Sequence, residues 1–410
     1  MIKKDLNSSG KPLKILQIAP PFLPIGKYGG AEAVIENLDR YYSEKGFDCS
    51  VVCTNDSVIE GKKFSAREKG LWSDNKLNSK KDFHDYCYSA IEYIKQEKPD
   101  IVHDHLGFIR FEPFKKAKNE LPPILSTIHS SADYEDKMKY KNIHKSFNGT
   151  EVSIATVSES QREIFNEITK VNYVVHTGID HNEFSFQKEK RNYVFFMSSL
   201  YEGKGPDVAI KVARDLGKKI VIAGPVHTFD KPTREYWKNK VKPYIDFLGD
   251  SKNPEDSLED FLSSDKKVMY MGPLGPEEKK FFYRNAEAFY APVSIDDACP
   301  LSPLEANACG TPVVAFGRGA YPELVNHGKT GYVAKPADIE DFKNCASKVN
   351  QLSPEDCREH LVNNFSLDIQ AQKYLQIYRE MLENKEKTSE TLLKFSLDTI
   401  NKEFNRVYTR

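Results

Sequence analysis

Two carboxylates eight positions apart, Asp297 and Glu305, fall within the stretch APVSIDDACPLSPLEANACGTPVVA, residues 291–315. Residues 291–293 end one apolar strand-like run and residues 312–315 begin another, so the acids occupy a loop and the first turn of a short helix. Ser302-Pro303-Leu304-Glu305 has the form of a capping box with proline at the first helical position. In such a box the Ser302 hydroxyl accepts from the amide of residue 305, and the Glu305 carboxylate accepts from the amide of residue 302. Gly310 closes the helix. A helix start directly after a parallel strand lies at the carboxyl edge of its sheet, where open α/β sheets bind ligands. Its free amides and dipole favour a phosphate. On residue types alone, Glu305 therefore carries both a structural and a ligand-binding reading. His103-Asp104-His105 and Asp296-Asp297 also have metal-ligand types. At a strand end the histidine triplet is expected to serve structure or line a substrate, and the adjacent aspartates lack the spacing of a metal-binding acid pair.

The elements that must position these groups follow an alternating pattern. At 410 residues and 39% hydrophobic content the chain is long enough for two or three domains. LKILQIA (13–19) leads through a Pro/Gly loop to a helix at 31–45. CSVVCT (49–54), DIVHDH (100–105), ILSTIH (124–129), SIATVS (153–158) and YVVHTG (173–178) read as further strands. The pattern restarts after the polar stretch 181–192 with YVFFMSS (193–199), KIVIAGP (219–225), KVMYMG (267–272), AFYAPV (288–293) and TPVVAFG (311–317). Such alternation predicts two α/β halves, each a doubly wound parallel sheet. Beyond residue 386, Leu393, Leu397, Ile400, Phe404 and Val407 form a helical seam that docks on its own protein or self-associates.

Charge and cysteine content exclude several classes. The 59 basic and 60 acidic residues nearly cancel, which gives no electrostatic case for nucleic acid. The seven cysteines include no CxxC pair, so neither a disulfide framework nor a zinc knuckle is expected, and free thiols point to a reducing compartment. No segment has the roughly 18 apolar residues of a membrane span, so a cytoplasmic protein is expected. A Rossmann dehydrogenase is disfavoured because no GxGxxG follows the first strand.

DACPLSPLEANACGTPVVA, followed by GRGAYPELVNHGKTGYV, resembles the C-terminal signature of family 4 glycosyltransferases. The resemblance implies a retaining, nucleotide-sugar-dependent enzyme of the GT-B fold, two Rossmann-like domains facing across a cleft. It implies an acceptor-side domain at 1–185, a nucleotide-sugar domain at 193–370, a helix at 371–385 crossing back to the first domain, and a helical extension at 386–410. Asp297 and Glu305 occupy the positions of the family's two signature acids: the first touches the transferred sugar and the second holds the donor ribose. YGGAE (28–32) resembles the substrate loop, with Gly29 and Gly30 allowing close approach of the backbone. STIH (126–129) places His129 at the active-site histidine. ATVSES (155–160) and VHTGID (175–180) resemble the run into the crossover. SSLYEGKGPDVAIKVA (198–213) places Lys204 at the diphosphate-binding lysine. By the same resemblance Ser199, Leu301, Ser302 and Gly30 border the diphosphate, and Asp297, Cys299 and Pro300 border the sugar. Neither metal nor cofactor is required, because the donor is itself a substrate.

Three departures bear on the site. Ser199 stands where the family usually has arginine, which removes a bidentate phosphate donor. Asp297 replaces the first glutamate and reaches about 1.5 Å less far. Pro300 stands where many members have glycine and offers no N–H. These changes predict a shifted sugar pocket. The resulting expectation is transfer of a hexosyl group from a nucleoside-diphosphate sugar, with UDP, GDP or ADP as the leaving group, to a glycan, lipid-linked or small-molecule hydroxyl. The alternatives are a sugar-phosphate synthase of the same fold and a catalytically silent nucleotide-sugar-binding protein. GFIRFEPFKKAK (107–118), with Phe108, Phe111 and Phe114 beside three lysines, is expected to be an amphipathic element or, less directly, a peripheral membrane contact.

Overall fold

The computed structural model describes residues 10–25, 30–71, 79–129, 138–147, 151–226 and 231–385. The chain forms two compact units: one holds the chain to Thr156, Phe165–Val175 and the chain from Ala371, the other Val157–Ile164 and His176–Gln370.

The inner strands are short runs of buried, mostly apolar residues, and each unit is built on one seven-stranded sheet. In the first unit the strands are β1 (Lys14–Ile18), β2 (Asp48–Thr54), β3 (Lys62–Arg67), β4 (Ile101–Asp104), β5 (Ile124–Ile128), β6 (Val152–Thr156) and β7 (Tyr173–Val174). Their order is β3-β2-β1-β4-β5-β6-β7, and every pair is parallel. The second unit contains β8 (Arg191–Met197), β9 (Ile220–Ala223), β10 (Phe247–Leu248), β11 (Val268–Tyr270), β12 (Ala286–Ala291), β13 (Val313–Phe316) and β14 (Gly331–Ala334). Their order is β10-β11-β9-β8-β12-β13-β14, again all parallel. In both sheets the strand order reverses beside the first strand, which opens a ligand crevice at the carboxyl ends of β1 and β4 and of β8 and β12.

The pleat of β8 sends alternate side chains to opposite faces. Tyr193 and Phe195 join one apolar cluster with Phe282 and Leu304, while Val194 and Phe196 join another with Ile210 and Phe342. Both faces of the sheet are thus covered by helices.

The units divide at 175/176 rather than along the expected 181–192 linker. The backbone of Ile179 bridges to Ser366, and Ile179 and Phe184 pack into the second unit's core. Lys190, in the same stretch, is half-buried, and its ammonium donates to the carbonyls of Arg284 and Cys309 and the hydroxyl of Thr311, each at 2.9 Å. Residues 367–385 form a continuous helix, and its Tyr378 donates to or accepts from His103 Nδ1 at 2.7 Å in the first unit. The seam from Leu393 to Val407 lies outside the described residues. In the 107–118 segment Phe108 and Phe114 are fully buried and Phe111 is half-buried. Among the described residues no helix is long and apolar enough to cross a membrane.

Candidate active site

In the second unit, two loops leave the carboxyl ends of the neighbouring strands β8 and β12 and meet. After β8 the backbone turns through Ser198 and the half-buried Ser199 into a 3-10 turn, Glu202–Lys204. Gly205 follows with φ +70° and gives way to Pro206, the first residue of the Pro206–Asp215 helix. Only glycine fits there: a Cβ would lie 2.3 Å from the carbonyl oxygen of Pro292. The Ser294 amide donates to the Gly203 carbonyl at 3.0 Å, which seats the turn on the loop after β12. This contact carries the Lys204 ammonium onto Asp297 Oδ2, an ion pair whose side chains are 16% and 21% exposed.

A third loop holds Asp297 from behind. Its carbonyl accepts from the Ala320 amide at 3.0 Å, and Gly319 (φ +53°) lies so close that a Cβ would come within 2.4 Å of that oxygen. Asp296 pairs with Arg318 at 3.2 Å and accepts from the Gly319 amide at 3.3 Å. The two adjacent acids thus divide their work: Asp296 ties loop to loop, and Asp297 faces the lysine.

Cys299, Pro300 and Leu301 complete the loop, all half-buried. Burial pushes the Cys299 thiol up to about 12, and hydrogen bonding to Thr177 only partly offsets this. The thiol is therefore a neutral packing group. The expected capping box does not form. Leu301 is the N-cap, the helix is Ser302–Ala308, and the Glu305 amide donates to the Leu301 carbonyl at 2.9 Å. Ser302 is thus inside the helix, with its hydroxyl against buried Tyr321. The Glu305 side chain, 7% exposed, turns instead to Lys279 Nζ at 2.5 Å. A charge-assisted bond to an ammonium outcompetes a neutral backbone amide for the carboxylate. Lys279 comes from the Pro276–Asn285 helix, 26 residues away, and no sequence spacing announced it.

Glu323 is a second residue to which no role had been assigned. Its carboxylate accepts from the amides of Glu159 and Ser160 at 2.7 and 2.8 Å and from His176 Nε2 at 2.7 Å. Burial alone would raise its pKa, but these bonds outweigh it and the pKa is lowered. Glu323 thus holds the start of the Glu159–Asn166 helix, and both belong to the second unit.

The first unit holds the remaining candidates. His129 follows β5, half-buried, with Nε2 2.9 Å from His105 Nδ1. Burial lowers the His129 pKa to about 4, and lowers those of His103 and His105 well below the usual value, so all three are neutral near pH 7. Within the His103-Asp104-His105 triplet, Asp104 accepts from the amides of Leu106 and Gly107, each at 2.9 Å, and from the Ser126 hydroxyl at 2.9 Å. Gly30 opens the Gly30–Glu44 helix, and among the described residues a Cβ there would meet no atom within 4 Å beyond its chain neighbours and its own helix backbone. Gly29 lies outside the described residues. Glu32, in the same motif, is buried, which raises its pKa to about 7. The structure therefore joins Lys204 to Asp297 and Glu305 to Lys279 in the second unit, together with Ser199, Cys299, Pro300, Leu301 and Ser302. His129 and Gly30 belong to the first.

Two family models match the chain in succession: Glycosyltransferase Family 4 over residues 28–183 and Glycosyl transferases group 1 over residues 179–364. The chain belongs to the family 4 glycosyltransferases. The sulfoquinovosyl transferase of Arabidopsis thaliana is 25% identical to this glycosyltransferase, over 85% of this chain and 68% of its own. Among solved structures, a sucrose-phosphate synthase from Thermosynechococcus elongatus aligns with TM-score 0.69 at 15% identity, over 91% of this chain and all of its own (100%). The Anabaena protein HepE, in complex with UDP-glucose, aligns with TM-score 0.63 at 14% identity, over 91% of this chain and 100% of its own. At these identities the structures share the fold, GT-B, with this glycosyltransferase.

Proposed function

We propose that this glycosyltransferase moves a hexosyl group from a nucleoside-diphosphate sugar to an acceptor hydroxyl, with retention and without a metal or further cofactor. The Lys204–Asp297 pair, seated by close-packed glycines at the carboxyl edge of the second sheet, is the observation that carries this reading. The bond from the anomeric carbon to the phosphate oxygen breaks, and its electron pair goes to the diphosphate. Lys204 and the first-turn amides at Leu301 and Ser302 stabilise that charge. The acceptor oxygen bonds the anomeric carbon on the same face, and its proton passes to the departing phosphate oxygen. Asp297 orients sugar hydroxyls beside Pro300 and Cys299, Glu305 takes the ribose diol, His129 takes a sugar hydroxyl, and Gly30 leaves room for the backbone to approach the substrate. With Ser199 in place of an arginine, Lys204 carries more of the phosphate charge. The structural likeness to HepE with UDP-glucose favours UDP among the leaving groups. The seven free thiols, six of them buried, suit a cytoplasmic enzyme.

The test is a panel of UDP-, GDP- and ADP-sugars, with acceptors that include a sugar phosphate because the fold is shared with a sucrose-phosphate synthase. Release of one nucleoside diphosphate and a product of unchanged anomeric configuration are expected. Binding without release for every donor would instead make the protein a silent nucleotide-sugar binder.

A further inference from the structure

The buried side chains behind His129 form a line that the proposed reaction does not use. Gln17 Nε2 lies 3.7 Å from Cys49 Sγ, and Gln17 Oε1 lies 3.1 Å from His105 Nε2. His105 Nδ1 then lies 2.9 Å from His129 Nε2. Gln17 and His105 are buried.

We propose that Cys49, Gln17 and His105 form a hydrogen-bond chain of fixed polarity that holds His129 as its Nε2–H tautomer, so that Nδ1 accepts from a hydroxyl of the bound sugar. The inference rests on the reading of His129 as a sugar-site residue. The polarity follows from the Gln17 amide. Its N–H donates to the Cys49 sulfur, which turns the Gln17 carbonyl oxygen to His105. That oxygen can only accept, so His105 carries its proton on Nε2 and presents a lone pair at Nδ1. His129 must therefore donate from Nε2, and its remaining lone pair is on Nδ1. Running the chain the other way would require the Gln17 amide turned over, with Nε2 toward His105 and Oε1 toward Cys49.

The neighbouring histidine supplies a contrast. His103 meets the Thr127 hydroxyl at 2.8 Å and the Tyr378 hydroxyl at 2.7 Å. Both hydroxyls can donate or accept, so this branch fixes no tautomer. It touches His105 only by ring contact, 3.8 Å between centroids. His129 stays uncharged near neutral pH because burial lowers its pKa to about 4. Gln17 and His105 are positioning residues, since they act on the sugar only through His129.

Nitrogen-15 histidine NMR on the full chain reads the tautomer directly. The expected spectrum has a protonated Nε2 and an unprotonated Nδ1 at His129. Gln17→Leu should release the tautomer to a mixture and lower turnover about tenfold, the worth of one hydrogen bond, with nucleoside diphosphate affinity within about twofold. His129→Leu should lower turnover at least as far. His129→Asn, whose amide oxygen can stand near the place of Nδ1, should restore part of it. A protonated Nδ1 in the unmodified protein, with turnover lost in His129→Leu, overturns the chain alone. Full turnover in His129→Leu overturns the sugar-site reading beneath it. The spectrum of the unmodified protein decides the tautomer even if Gln17→Leu does not fold.

Discussion

Replacing Asp297 with asparagine is expected to separate donor binding from sugar transfer. The Lys204 ammonium is held by the Asp297 carboxylate. A diphosphate must draw the lysine away and then lie near a negative charge. With side chains 16% and 21% exposed, the pair is worth about 1 kcal/mol, the upper end for pairs that water still reaches. Asp297→Asn releases that energy to the ligand, so nucleoside diphosphate affinity should rise about fivefold. The sugar loses a charged acceptor worth about 1.5–3 kcal/mol, so turnover should fall roughly ten- to a hundredfold. Calorimetric titration with UDP, GDP and ADP measures the first effect, and diphosphate release from the matching sugar measures the second. Lys204→Met is the comparison, expected to weaken both. If Asp297→Asn weakens diphosphate binding as much as Lys204→Met does, the pair is a joint scaffold rather than a parked lysine, and this reasoning fails.

Glu305→Ala should lose nucleotide-dependent thermal stabilisation and cost about 1–3 kcal/mol, because Lys279 is left partly buried without its partner. In a double-mutant cycle with Lys279→Met, additive effects would show the pair to be uncoupled. Lys190→Met should cost about 1–3 kcal/mol in urea denaturation by removing one donor from the Arg284 and Cys309 carbonyls and the Thr311 hydroxyl; a loss under 0.5 kcal/mol would contradict the contacts. Stability should also fall with acid. The three histidines have folded pKa values below the unfolded value, so the unfolded chain binds more protons. Their contribution is full above about pH 6.5 and declines toward pH 4, at up to about 1.4 kcal/mol per pH unit for each group. Glu32, raised to about 7, works the other way: its contribution is present at low pH and lost as pH rises through 7. Urea midpoints between pH 7.5 and 5 should therefore fall more steeply with acid in Glu32→Gln, and a flat profile in that variant would contradict the neutral histidines.

The sequence made the inner strands legible because both faces of these sheets are covered, which leaves continuous apolar runs such as YVFFM in β8. The strands not anticipated, β3, β10 and β14, are all at sheet edges. KKFSAR in β3 is half-exposed and charged, and β10 has only two residues, so neither shows an apolar run. The 181–192 stretch reads as a linker by polarity, but its Lys190 is polar for the sake of three buried oxygens. At the site, the same compromise governs Glu305. Ser302 and Glu305 have capping-box spacing, and only the fold reveals that Lys279 claims the carboxylate. Gln17, Cys49 and His105 lie on three different strands or their ends, and the sheet alone brings them into line. Lys204 and Asp297 come from loops 93 residues apart, and their meeting depends on close packing at Gly203 and Gly205.

A co-crystal structure with whichever of UDP, GDP or ADP most raises the melting temperature tests the donor site most directly. The diphosphate is expected against Lys204 and the amides at Leu301 and Ser302, with the ribose hydroxyls on Glu305 and Lys204 withdrawn from Asp297. A nucleotide bound elsewhere, with the Lys204–Asp297 pair intact, would contradict the account.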